Sequence, residues 1–515
     1  MEKQDLNIVF KDYDHNQLML LPHNLGDLLP SEHPARVVSA VVDKINIQPI
    51  FSQYSSMGAS SYHPRMLLKV LIYGYLENCY SSRKLEKAVR ENIGFMWLSG
   101  MQRPDHNTIN RFRGEKLREV IREIFSQVVL MLYEEGLLDI KDVYTDGTKI
   151  EANANRYTFV WGKAVKKSRE RIAKQLQELW DYAAEVAKEE LGQPEEKFEN
   201  PSPQKVLETV EKINTALQGK EVDPKVKQKL RYAKKNWPGK LAEYEQKEEI
   251  LQERNSYSKT DEDATFMRMK EDHMKNGQLK PGYNLQLSTH GQFVVNYTLH
   301  QKPNDTTTLI PHMDAYRQMY GAYPETLTAD AGYGSEENYA ALEQNGTSAY
   351  VKYNYFHKEL REEKGKNREY RLLENLYYDS QKDRYICPMG QPMERNGTRT
   401  KTTSTGYKQE YARYTASKCI GCPLAASCRP GKGNKTIEVN RTLERYKSEA
   451  KQKLTSPEGI QKRKQRATDV EPVFGHLKQN KGMKRYVLRG LEKVEIETGL
   501  HAIAHNLSRK AAKAA

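Results

Sequence analysis

A chain of 515 residues is too long for one compact core, so two or three domains are expected. Lys and Arg number 82 against 68 Asp and Glu, and the resulting net charge of +14 favours a polyanionic partner such as nucleic acid, with an anionic membrane surface or mere solubility as competing readings. No run of about 18 apolar residues occurs, the opening MEKQDLNIVFKDYDHNQ lacks an apolar signal core, and five cysteines make no disulfide framework, which argues against membrane-spanning and disulfide-stapled secreted proteins and predicts a cytoplasmic, nucleoid-associated one.

Residues 1–136 read as an all-helical domain. VVSAVVDKI is helical after a Pro-bearing entry, and HPRMLLKVLIYGYL carries a wide apolar face that predicts burial. RKLEKAVREN, GFMWLSG and the helix opening at Asp105 then have the order of a helix-turn-helix, with Asp105 as N-cap. Its groove-facing side chains would be His106, Asn107, Asn110, Arg111 and Arg113. A plain helical bundle with a basic surface is the competing reading.

From Leu137 the texture turns to β-strand, in a run through Val143 and Tyr144 that ends at an Asp146-Gly147 turn; an Asp there is ordinarily turn chemistry. Residues 164–258 form a charged helical insertion, with Leu176, Leu179, Ala183 and Val186 as its apolar stripe and GQPEEKFENPSPQ as an internal linker. Strands return in GYNLQLSTHGQFVVNYTLH, a hairpin about His290-Gly291, followed by a helix, the strand of TLTADAGYG with Asp330 at its end, the helix SEENYAALEQNG and the strand SAYVKYN. This is the order of an RNase H-like mixed sheet in an α+β protein. It places Asp146 and Asp330 at the ends of the first and fourth strands.

Residues 355–435 form a Cys-rich insertion. Cys387 is followed after 31 residues by Cys419, Cys422 and Cys428, and four thiolates suffice for a tetrahedral structural Zn²⁺ site. Reduced, metal-free cysteines are the competing reading. The surrounding TRTKTTSTGYKQEYARYTASK suits strands with a basic face.

A last helix begins in RATDVEPVFGHLKQN, predicted to open at Thr468 or Asp469 with Pro472 in the first turn. Glu471 and Lys478, seven residues apart, would share one face. An ordinary surface pair is the competing reading, and the company of Asp146 and Asp330 is what counts against it. In-line phosphodiester cleavage uses two divalent cations roughly 3.5 to 4 Å apart. Hard Mg²⁺ or Mn²⁺ prefers carboxylate oxygens, so Asp146, Asp330 and Glu471 are the candidate ligands for two ions.

HPRMLLKVLIYGYL, PDHNTINRFR, VYTDGTKIEANANR, LTADAGYGS, DVEPVFGHLKQNKGMKRYVLRG and KVEIETGLHAIAHNL together resemble the DDE transposases of bacterial insertion sequences. The resemblance implies catalytic Asp146, Asp330 and Glu471, with Lys478 as a basic residue against DNA phosphate. Many relatives carry Tyr and Arg seven and four residues before the glutamate; here Lys464 and Ala467 stand there, and Arg466 is the nearest candidate. It also implies a helical domain that binds terminal inverted repeats of double-stranded DNA and a catalytic core over 137–163, 259–354 and 436–515 that cuts element ends and joins them to target DNA. Concerted cutting of two ends suggests a homodimer on DNA. A nuclease of the same fold without strand transfer, and a non-catalytic DNA-binding protein derived from a transposon, are the alternatives.

Overall fold

In a computed structural model of the protein, residues 24–54, 61–187, 198–269, 278–362, 376–429, 431 and 433–514 are described. The polar lead of residues 1–23 and residues 192–197 of the predicted linker lie outside them.

The chain begins with helices α1 (Pro34–Lys44), α2 (Gln48–Phe51), α3 (Pro64–Leu76), α4 (Ser82–Glu91), α5 (Ile93–Leu98), α6 (His106–Arg111) and α7 (Ile121–Glu134). α1 and α3 use the same start: a histidine N-cap whose Nδ1 accepts the N–H two residues on, at 3.2 Å in both, and a proline at the first helical position. α3 is buried nearly all round, as its unbroken apolar face requires. The long helix expected after Asp105 is instead split. α6 ends at Arg111, a π-helical turn covers Phe112–Lys116, and α7 starts at Ile121.

Next come β1 (Asp142–Glu151), β2 (Phe159–Trp161), the insertion helices α8 (Gly162–Val186), α9 (Pro203–Ala216) and α10 (Pro224–Leu251), and β3 (Ser256–Ser258). β2 and β3 pair at the root of the insertion, and its helices bury a cluster of their own in which Leu176, Leu179 and Ala183 meet Val210, Ile213 and Trp237. The sheet is completed by β4 (Thr265–Arg268), β5 (Leu279–His290), β6 (Phe293–His300), β7 (Thr326–Ala329) and β8 (Ser348–Val351), with α11 (Leu309–Tyr320) and α12 (Glu336–Gln344) between the last strands. β1 runs antiparallel to β5 and parallel to β7, which is parallel to β8; β4 and β6 pair with the edge of β5 away from β1. β5 and β6 form the expected hairpin. Its turn is Gly291-Gln292, both with positive φ, as the mirror-image two-residue turns require.

α13 (Phe356–Glu362) leads to a second, antiparallel sheet of β9 (Tyr377–Asp379), β10 (Arg384–Ile386), β11 (Pro392–Thr402), β12 (Lys408–Ala416) and β13 (Thr436–Val439), with the short α14 (Ala425–Cys428) before β13. It is fastened to the first sheet at buried Glu336, which opens α12 and accepts from Gln409 Nε2 at 2.9 Å and Asn440 Nδ2 at 2.6 Å. α15 (Arg441–Thr455), α16 (Pro457–Gly475) and α17 (Leu491–Ala514) close the chain. The architecture is α+β. One apolar cluster runs from α1 and α3 through the first sheet to α17.

Two expectations are corrected. β1 does not end at Asp146-Gly147 but continues to Glu151, so Asp146 lies mid-strand, held there by eight paired positions along β5. α16 opens at Pro457, capped by Ser456, so Thr468, Asp469 and Pro472 are interior.

Candidate active site

Alternation along β1 sorts its side chains to two faces. Thr145 faces the α11 side, where its hydroxyl meets Ser288 Oγ at 2.7 Å and Ser288 meets buried His312 Nε2 at 2.8 Å. Asp142 and Asp146 face α16: Lys462 Nζ lies 2.9 Å from Asp142 Oδ2, and Arg466 Nη1 lies 3.3 Å from Asp146 Oδ2.

The parallel register carries the second aspartate to the first. Thr145 pairs with Ala329 and Ala329 with Val351, so the next residue on each chain, Asp146, Asp330 and Lys352, stands at one edge of three adjacent strands. Asp330 leaves β7 as the N-cap of a 3-10 turn, its Oδ1 accepting the Gly332 N–H at 2.8 Å. Asp146 Oδ1 accepts the Gly147 N–H at 2.8 Å.

Glu471 comes from α16. Its side chain is 61 % exposed, and Arg466 Nη2 stands 3.8 Å from its Oε1. Buried Arg466 lies on α16 itself, so its contact with Asp146 joins that helix to β1, while its contact with Glu471 is made within α16. Neither its Nε nor its Nη1 donates a hydrogen bond among the described residues, so the contact with Asp146 is an ion pair alone.

α16 is docked by groups that the sequence did not announce. Pro472 has no N–H to give Thr468 C=O, and Gln292 Nε2 donates to that carbonyl instead, at 2.9 Å. Asp469, read as a possible helix start, is buried, and its Oδ1 accepts from Thr289 Oγ1 at 2.6 Å and Gln292 N at 3.2 Å. Behind the aspartates, Asp305 Oδ1 accepts from Asn284 Nδ2 at 2.8 Å and Gln286 Nε2 at 3.0 Å, while the Tyr333 hydroxyl donates to Gln286 Oε1. Burial first, then the charges of Asp305, Asp146 and Asp330, pushes the Tyr333 phenol well above its ordinary range, so it stays a donor.

The remaining site residues fall apart from this centre. Asn107, Asn110 and Arg111 are exposed on α6, and His106 Nδ1 lies 2.7 Å from Glu86 Oε2. Arg113, expected in a DNA groove, is instead buried by the π turn, donating to Tyr80 C=O at 2.6 Å and Asn110 Oδ1 at 3.2 Å. Lys478, expected on the face of Glu471, is buried in a second π turn, His476–Asn480; the wider turn breaks the phase that a seven-residue α-helical spacing assumes.

Cys387, Cys419, Cys422 and Cys428 are free thiols around one cavity, which Lys435 also lines. The Lys435 ammonium is 3.4 Å from Cys428 Sγ, and its N–H is 3.4 Å from Cys419 Sγ. Among the described residues no group of three or more His, Cys, Asp or Glu is arranged to hold a metal ion, the four cysteines and the three carboxylates included. Among the described residues the expected zinc geometry is therefore not found, and the Lys435 ammonium stands against one of the thiols.

Among the described residues no helix is long and apolar enough to cross a membrane. No curated protein and no solved structure matches the chain. Two family models do: a transposase DDE domain over residues 386–511 and a transposase domain (DUF772) over residues 23–115. The first covers Glu471 and the four cysteines, the second α1 to α6, and Asp146 and Asp330 fall between them. Both matches are to transposase domains, and together they support an insertion-sequence DDE transposase.

Proposed function

We propose that the protein cuts the two ends of its element and joins them to target DNA, with Asp146, Asp330 and Glu471 as the catalytic carboxylates. The observation that carries this reading is the register that brings Asp146 and Asp330 to one edge of adjacent parallel strands, with Arg466 of α16, the helix that also carries Glu471, paired to the first of them. The strand order β6-β5-β1-β7-β8, a hairpin leading into two parallel crossovers, supports an RNase H-like core.

In kind, though not in their present spacing, the donors fit a hard divalent cation: three carboxylates, two of them in register on a rigid sheet. When bound, Mg²⁺ or Mn²⁺ supplies Lewis acidity to the phosphodiester. The chain's own part is to hold the acids. Hydrogen bonds from Gly147 and Gly332 orient Asp146 and Asp330, and Arg466 limits the repulsion between Asp146 and Glu471. Water oxygen bonds to phosphorus as the P–O3′ bond breaks, leaving a 5′-phosphate and a 3′-hydroxyl; that hydroxyl then attacks a target phosphodiester and releases its 3′-oxygen. The exposed Asn107, Asn110 and Arg111 of α6 form the proposed contact with end DNA.

The test uses duplexes carrying the inverted repeats that flank the coding sequence. Asp146→Ala, Asp330→Ala and Glu471→Ala should each abolish strand cleavage while end binding persists. Full cleavage by Asp330→Ala rejects the assignment. Pre-cleaved ends that are not joined to target DNA by the wild type leave a nuclease only.

A further inference from the structure

We propose that Lys352 is a substrate-contacting residue whose ammonium holds a phosphate oxygen of the DNA strand beside Asp330. This rests on the catalytic reading of Asp146, Asp330 and Glu471.

Lys352 directly follows β8 and is the register neighbour of Asp330. Its backbone is fixed on both sides. The N–H donates to Ala329 C=O at 3.3 Å, and the carbonyl closes on Gly334, where an added Cβ would stand 2.3 Å from the Lys352 oxygen. Val351, one residue earlier, is fully buried. Alternation therefore turns Lys352 to the face that carries Asp146, Arg466 and Arg463.

What marks the residue is its lack of a partner. Lys462 pairs with Asp142 at 2.9 Å, Lys141 with Glu325 at 2.9 Å, and Arg466 with Asp146 and Glu471. The half-buried Lys352 ammonium makes no hydrogen bond or ion pair among the described residues, although Asp330 and Asp146 are close enough for their charges to act on it. Burial first, then the Arg466 and Arg463 guanidinium groups, holds its pKa below the usual lysine range. A half-buried, unpaired cation is costly unless an anion arrives to meet it. A phosphodiester brings one permanent negative charge and two non-bridging oxygens, and an ammonium brings three rotatable donors. The strand to be cut must pass Asp330, so its phosphate reaches Lys352 at the same step.

The experiment measures binding of the inverted-repeat duplex over a range of salt, and of the same duplex with one methylphosphonate at the cleavage position, which removes the charge on that phosphate. Lys352→Gln should bind the native duplex about tenfold more weakly and lower the slope of log affinity against log salt by about 0.9, the loss of one phosphate contact. Lys352→Arg, which keeps the charge, should stay within about threefold of the wild type. On methylphosphonate DNA the wild type and Lys352→Gln should bind alike. An unchanged slope, or a tenfold loss that persists on methylphosphonate DNA, overturns the proposal. Asp330→Ala assayed in parallel separates the two readings: if it fails to cut while Lys352→Gln binds as the wild type does, only the phosphate contact falls; if it cuts fully, the catalytic assignment falls whatever Lys352 does.

Discussion

Gly147 lacks a side chain because the space where one would start is already filled. A Cβ there would stand 2.4 Å from Gln286 Nε2 and 2.8 Å from Asp305 Oδ1, and neither amide nor carboxylate is free to move, since each is tied to Asn284 and, through Gln286, to Tyr333. Gly147→Ala is therefore expected to cost about 1–3 kcal/mol, the usual range for forcing atoms into a packed site, and to displace Asp146 with it. Urea unfolding reads the first effect and end cleavage the second; an unchanged midpoint would show that the network relaxes. The Asp-Gly pair was legible as chemistry but not as structure. By local propensity it is a turn, and only β5 and Asp305, far along the chain, make it mid-strand. For a related reason, Arg113 and Lys478 depart from the exposed placement that the sequence predicts. Both sit in π turns, which leave no periodic trace in a sequence and swing a cation from the exposed face to the core.

α16 shows how much of an element can be hidden by its own signals. Thr468, Asp469 and Pro472 look like a helix start, because small polar residues and a proline within the first turn are how helices begin. Here they serve the opposite purpose, docking the middle of a long helix on the tip of the β5–β6 hairpin. The hairpin was legible, because alternation and the Gly291 turn are local; the docking was not, because Thr289 and Gln292 are distant in sequence. Removing the Asp469 carboxylate takes the nearer acceptor from the buried Thr289 hydroxyl, which keeps Tyr144 C=O at 3.4 Å, and the acceptor from the half-buried Gln292 N–H, about 1–3 kcal/mol together. Asp469→Ala should accordingly lower stability and, because the same helix carries Glu471 and Arg466, reduce cleavage more than end binding. A variant with wild-type unfolding and wild-type cleavage would mean that Pro472 and the apolar contacts of Val470 and Val473 position the helix unaided.

At the scale of the whole molecule, the shared core makes stability depend on pH in a defined direction. His312 lies between Ser288 and Thr298, His501 against the rings of Tyr75 and Tyr80, and His505 against Gln292 C=O, all three buried where α11 and α17 pack on the sheet and on α3. Burial is the main cause that lowers each pKa, well below the ordinary range for His312 and to about 3 for His501 and His505, while His300 is lowered to about 4. A depressed folded pKa means that unfolding takes up a proton once the pH is under the unfolded value of about 6.5. The stability held by these histidines is thus complete above about 6.5 and is lost as pH falls. Glu497 acts in the other sense. Buried, with the Val487 and Leu488 N–H groups on its carboxylate, it titrates at about 7, so its contribution is complete below about 4.5 and is lost as pH rises through 7. The histidines outnumber it, and resistance to urea should peak near pH 6.5 and fall towards pH 5, each histidine adding about 1.4 kcal/mol per pH unit to the slope. His312→Asn should remove one such increment from the slope between about pH 6 and 5 whatever it does to absolute stability. Unfolding free energies that stay flat from pH 8 to 5 would mean that these imidazoles are hydrated, and that α17 is not packed into the same core as the sheet.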